Sequence, residues 1–154
     1  MLFRSQNRKL QFTLLTVGPK FSDVEIEKYK LRQLGKNWEH FSGADENLLN
    51  KLFFESDIYV MTSKMEGFGM PILEALSQGT RVVASEIPVF LEIGEKYISY
   101  FDPESAEDLM EKLLSIFDQG DTLESVKGRI LFAKKSTWFN TAKNMAEVYK
   151  GIDR

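Results

Sequence analysis

Glu66 and Glu74 have seven residues between them in the run SKMEGFGMPILEALSQGTRVVAS (63–85), and they are the side chains best placed to do chemistry. Between them lie Gly67 and Gly69, which can adopt positive φ and leave no side chain in the way of a ligand. Pro71 suits the first turn of a helix, where its missing N–H costs nothing. Ile72, Leu73, Ala75 and Leu76 then form an apolar face, and Gly79 ends the helix. The preceding DIYVMTS (57–63) is short, β-branched and aromatic, as expected of a buried strand. Strand, glycine-rich turn and helix N-terminus together make an anion site, because free N–H groups and the helix dipole both point at the turn. The backbone from Gly67 through Phe68, Gly69 and Met70 to Ile72 would supply those groups. Helical side chains tilt toward the N-terminus, so Glu74 can reach back and accept hydrogen bonds from a ribose diol. Such a site suits a diphosphate flanked by hydroxylated rings, which is the shape of a nucleotide-sugar.

The elements that must hold this site alternate. Phe12 to Val17 forms a strand ending in Gly18-Pro19. Ser22 or Asp23 caps a polar helix to about Leu34, and Trp38 to Ser42 is a short strand before Gly43. Asp45 caps a helix with Leu48, Leu49, Leu52 and Phe53 at helical spacing. Strands at 57–63, 81–85 and 97–101 follow. Beyond Asp102-Pro103 the pattern is helical, lined by Leu109, Leu113, Leu114 and Phe117, then by Leu123, Val126 and Ile130. The last helix carries Trp138, Ala142, Met145 and Tyr149 after a Ser136/Thr137 cap. Strands alternating with helices define an α/β fold with a doubly wound, Rossmann-like parallel sheet, in one domain over 1–154. Ligands bind such sheets at the carboxyl ends of strands, where the Gly18 turn, the Gly43 turn and the acid-bearing loop all fall.

Composition narrows the function. The chain has 154 residues, net charge −3 and no cysteine, so it offers no disulfide framework, no thiolate metal site and no general affinity for nucleic acid. It lacks an apolar stretch near the ~20 residues that span a bilayer, and its first residues lack a secretory apolar region; a cytoplasmic protein is expected. Basic residues gather at Arg4, Arg8 and Lys9 and at Lys127, Arg129, Lys134 and Lys135. They are expected on solvated helix faces, with peripheral contact to an anionic membrane as the alternative. His40, the only histidine, rules out a multi-histidine metal site and is expected to be structural. Phe12, Phe53, Phe54, Phe90 and Phe101 are expected in the core or at an interface. A nicotinamide-binding reading draws on Glu86 at a strand end, but its fingerprint needs a third glycine where Ile72 stands.

The order of the block from Glu66 to Ala75, EGFGMPILEA, resembles the donor-binding motif of the family-4 glycosyltransferases, the retaining group of GT-B architecture. LLTVGP (14–19), ADENLLNKLFFESDIYVMTS (44–63) and VVASEIPVFLEIGEKYISYFDPES (82–105) resemble that family's neighbouring strands and helices, the last including a proline-containing loop. The resemblance covers about residues 8–150. It implies the C-terminal, donor-binding half of an enzyme that transfers a hexose from a UDP-, GDP- or ADP-linked sugar to a glycan, lipid or other acceptor. Glu66, the catalytic-site acid, would bond the sugar hydroxyls beside Phe68, Glu74 the ribose, and the turn after Gly43 the base. No cofactor or metal is implied.

One departure stands out. The family's domain opens with a strand ending in Gly and Arg, followed by a Lys; the pair grips the donor diphosphate. No residue here matches that pair, and MLFRSQNRKL resembles the tail of the first helix. The chain is therefore expected to be incomplete at its N-terminal edge, and inactive without an acceptor domain or a partner chain. A non-catalytic nucleotide-binding module, a subunit of a split enzyme and a homo-oligomer remain alternatives. The absent strand lies mid-sheet, between 12–17 and 57–63. Direct pairing of those strands, or completion by another chain, is expected over filling by LFRSQNRKL, which is polar for a strand buried on both faces.

Overall fold

The computed structural model describes residues 2–5 and 12–152. Six strands form one sheet in the order β3-β2-β1-β4-β5-β6. They are β1 (Leu2–Ser5), β2 (Phe12–Val17), β3 (Trp38–Phe41), β4 (Ile58–Met61), β5 (Arg81–Ser85) and β6 (Ile98–Phe101). Five of them run parallel, so the doubly wound α/β architecture stands. Leu2–Ser5, however, fills the central slot and runs antiparallel to both neighbours.

This corrects the expectation that the slot would be closed by direct pairing or by another chain. Register explains why polarity does not prevent it. Leu2 and Phe3 pair on both sides, with Leu15 and Leu14 of β2 and with Tyr59 and Ile58 of β4. Arg4 and Ser5 pair with β2 alone. The few residues between Ser5 and Phe12 allow a hairpin, whereas a parallel strand would need a crossover of a dozen or more. Each backbone group left unpaired in a buried slot costs about 1–3 kcal/mol, so even a short strand is worth ordering. Arg8 and Lys9 lie outside the described residues.

Alternate residues of the strands feed two cores, as the period of two requires. Leu15, Tyr59, Val82, Ala84 and Ile98 pack with Leu52, Phe53, Ile72, Ala75, Leu76, Phe90 and Ala133. These come from helices α2 (Glu46–Glu55), α3 (Met70–Ser77), α4 (Pro88–Gly94) and α6 (Leu123–Ala133). Leu14, Ile58, Val60, Val83 and Phe101 pack on the other face with Leu113 of α5 (Ala106–Gln119). Phe53, Phe90 and Phe101 are buried, while Phe54 lies open.

Two segments depart from the sequence reading. The helix expected to run to Leu34 is only α1 (Asp23–Lys28), started by a reciprocal Ser22–Glu25 capping box and stopped before Lys30, whose φ is +54°. It buries no residue, and a helix without an apolar face has little to extend it. A 3-10 segment, Leu31–Asn37, follows and is broken at Gly35. Conversely, the expected proline loop after β5 is the helix α4, with Pro88 in its first turn and Phe90 fully buried.

The last helix, α7 (Trp138–Ile152), stands apart. Met145, Val148, Tyr149 and Ile152 share one side of it, and each is more than half exposed. Among the described residues, no helix is long and apolar enough to cross a membrane.

Candidate functional site: the acid-bearing loop at the carboxyl edge

β4 delivers the chain to Ser63, where the loop begins. The Ser63 hydroxyl donates to Glu66 Oε1 at 2.7 Å, which orients the carboxylate and leaves its other oxygen open. Lys64 Nζ lies 2.6 Å from Glu104 Oε1, an exposed pair that tethers the loop to the turn after β6. It is engaged there rather than in the site.

Gly69 ends the loop as the N-cap of α3, with φ +95°. An added Cβ would sit 2.8 Å from Phe90 Cε1 and 3.0 Å from Ile93 Cδ1, so both backbone and packing demand glycine. Ile72 N–H donates to Gly69 O at 3.0 Å and Pro71 has no N–H. The run of free N–H groups is thus shorter than the expected Gly67–Ile72. Among the described residues, the N–H groups of Gly67, Phe68, Gly69 and Met70 have no acceptor, and they stand at the positive end of α3. Phe68 is about half exposed beside them.

Ile72, Leu73, Ala75 and Leu76 are all buried, as the apolar spacing requires, and they fix the rotation of α3. That rotation leaves Glu74 half-buried. Burial, and then the Glu46 carboxylate on α2, push its pKa up. Helix α3 ends at Gly79, φ +81°, where Val126 of α6 would meet any Cβ at 2.8 Å.

The strand beneath contributes a residue whose role the spacing did not suggest. Tyr59 is buried against Phe53, and its hydroxyl donates to Met61 Sδ at 3.0 Å, a weak acceptor. Burial, then Glu74 and Glu66, push that hydroxyl well above the usual tyrosine range. Tyr59 is therefore within the field of both acids. The available signal was its place two residues before the end of β4, on the face that α3 covers.

Gly18 and Gly43, φ +148° and +71°, end β2 and β3 on the same edge, open to solvent on their Cβ sides. They do not touch the acid-bearing loop. Three strand spacings of about 4.8 Å put β3 about 14 Å from β4, the span of an extended ligand rather than of one group. His40 is not part of this edge chemistry: its Nδ1 lies 3.0 Å from Thr16 Oγ1, and the Phe21 ring lies tilted against it with centroids 4.9 Å apart. Arg129, expected on a solvated face, is instead 6% exposed. Its Nε donates to Gly79 O at 2.8 Å and its Nη2 pairs with Asp121.

The chain belongs to the glycosyl transferases group 1 family, whose model matches residues 2–129. It is a C-terminal domain of the GT-B type. The serotype-specific mannosyltransferase WbdA of Escherichia coli is 31% identical over 114 residues, 70% of this chain and 14% of that protein. The phosphatidylinositol N-acetylglucosaminyltransferase GPI3 subunit of Saccharomyces cerevisiae is 24% identical over 154 residues, 96% of this chain and 33% of that protein. The chain thus spans a third or less of these two relatives. Among solved structures, sucrose-phosphate synthase from Thermosynechococcus elongatus superposes with a TM-score of 0.70 at 21% identity, over 91% of this chain and 38% of that one, and shares the fold.

Proposed function

We propose that this chain is the donor-binding half of a retaining hexosyltransferase that uses a nucleotide-sugar. The observation that carries the reading is the run of unpaired N–H groups from Gly67 to Met70, with Glu66 before it and Glu74 one turn into α3. In this reading Gly67, Phe68, Gly69 and Met70 hold the distal phosphate. Glu66, pre-oriented by Ser63, bonds the sugar hydroxyls beside Phe68, and Pro71 and Ile72 shape the helix entry. Glu74 accepts from the ribose diol, and the Gly18 and Gly43 turns flank the base. The work of this half is positioning and stabilising the departing diphosphate, with no covalent chemistry of its own.

Calorimetry with UDP, GDP and ADP tests it. One nucleotide should bind with measurable affinity and the others more weakly. Glu74→Ala should weaken it about tenfold or more, the value of charge-assisted hydrogen bonds. Equal affinity in both proteins refutes the ribose role. The chain alone should transfer no sugar; product formed above the hydrolysis background and lost in Glu66→Ala would refute its dependence on a second half.

A second reading, a subunit that completes an acceptor-binding domain or partner chain, is favoured by one specific observation. The apolar side of α7 is open from Met145 to Ile152, and such a stripe marks an interaction surface. A cytoplasmic, membrane-peripheral location accords with either reading.

A further inference from the structure

The opposite edge of the sheet holds a cleft of about 480 Å³, lined in part by Arg81, Lys96, Ser99, Gln119, Ser125 and Arg129. It opens at the amino-terminal ends of β5 and β6, beside the end of α5 and the face of α6. We propose that this cleft is a binding site for a small phosphomonoester or inorganic phosphate, gripped by Arg81, Arg129 and Lys96.

Both guanidinium groups are held by backbone. Arg81 Nε donates to Asp57 O at 3.1 Å, and its Nη1 to Ile116 O at 2.7 Å and Gly120 O at 3.4 Å. Arg129 uses Nε on Gly79 O and Nη2 on Asp121. Those contacts fix the two groups without exhausting them. Arg81 Nη2 and Arg129 Nη1 have no partner among the described residues. Neither is sealed inside the protein, since the one buried side-chain nitrogen or oxygen lacking a partner there is His40 Nε2. Two pre-positioned donors therefore remain on residues that line one cleft, an arrangement suited to phosphate oxygens.

The electrostatics point the same way. Arg81, Lys96 and Arg129 outnumber Asp121 and Glu124 in the lining, and Asp121 is already engaged by Arg129. This local excess of positive charge sits in a chain of net charge −3. Burial lowers the pKa of Arg81, opposed by Asp121 and Asp57, and Arg129 lowers it further. The volume falls in the range of small-molecule sites, and the hydroxyls of Ser99 and Ser125 and the amide of Gln119 could serve a hydroxylated ester. The cleft is independent of the acid-bearing loop, and so is the proposal.

Amide NMR titration of the whole chain decides it, using inorganic phosphate, glycerol 3-phosphate and chloride at constant ionic strength. Saturable shifts at Gly120, Ser125 and Gly128, with Kd on the order of 1–10 mM, are expected for a phosphate arm and not for chloride. Tighter binding of the ester assigns a hydroxyl-bearing ligand; equal binding assigns inorganic phosphate. Lys96→Gln, at an exposed site, and Arg81→Gln, with folding checked by its spectrum, should each weaken binding about tenfold. Shifts that fail to saturate, that chloride reproduces, that are confined to Gly67–Met70, or that both variants retain at wild-type affinity overturn the proposal.

Discussion

In β4 and β5 almost every residue is buried, from Ile58 to Val60 and from Val82 to Ser85, with helices packed on both faces. In β2 only Leu14 and Leu15 are buried, and β3 buries none. Beside this second half lie α1, which buries nothing, and a broken 3-10 segment that buries only Leu31. Firm and shallow halves meet along β1. The acids and the unpaired N–H groups ride on the firm half, whereas Gly18 and Gly43 end strands of the shallow one. A ligand spanning both would find the free N–H groups already fixed and would have to settle the other half around itself.

Paired truncations give the largest expected effect. Phe90→Ala should cost about 3–5 kcal/mol and Leu14→Ala nearer 2 kcal/mol, measured by denaturant unfolding; equal losses would erase the distinction between the halves. Gly69→Ala should cost about 2 kcal/mol, combining left-handed strain with the Phe90 contact. A loss below a few tenths would mean that the firm half yields at the site. Hydrogen exchange sharpens the comparison: amides of β2 should exchange about tenfold faster than those of β4 and β5. A bound nucleoside diphosphate should slow β2 and β3 more than β4. Equal protection of β2 and β4 without ligand would contradict the shallow packing.

The smallest effect concerns Glu74. Its folded pKa is raised by burial and by Glu46, so the ionised form is disfavoured in the folded state. Stability is then lost as pH rises from the unfolded value through the raised one, and the loss persists above it. Glu74→Gln should raise Tm slightly at pH 7 and leave it unchanged near pH 4. A lower Tm at pH 7 would mean that the carboxylate supports the fold. Paired with weaker nucleotide binding, the expected gain would mark a residue kept for its ligand.

Legibility followed packing. Around the acids, apolar spacing and the Pro71/Gly79 punctuation placed α3 and its four buried side chains, and Arg81–Ser85 was bounded correctly because five consecutive residues lack an exposed position. The shallow half was less legible: α1 has capping signals but no apolar face, so its length had no local cause to read. Helix α4 was hidden because a short helix begun by Pro88 looks like a loop until Phe90 finds its core. Arg129 was missed because a basic residue on a polar helix betrays its burial only through its partners, and Gly79, which takes its Nε, lies fifty residues away in sequence. Tyr59 looked like one more strand aromatic; its distinction is the pair of carboxylates above it. The role of Glu66 came from resemblance, whereas that of Glu74 was also legible in the tilt of helical side chains toward the N-terminus.

The antiparallel set of β1 also bears on the order of assembly. Its contacts with β2 close over a short stretch of chain, the kind of local pairing that forms in microseconds. Its other edge must wait for β4, which is made only after β2, α1, β3 and α2. Until then the nascent hairpin presents an open edge to any extended chain nearby, a template for wrong partners. The pairing with β4 joins only Leu2 with Tyr59 and Phe3 with Ile58, so it is late as well as small. During synthesis, the middle of this sheet stays open until β4 has been made.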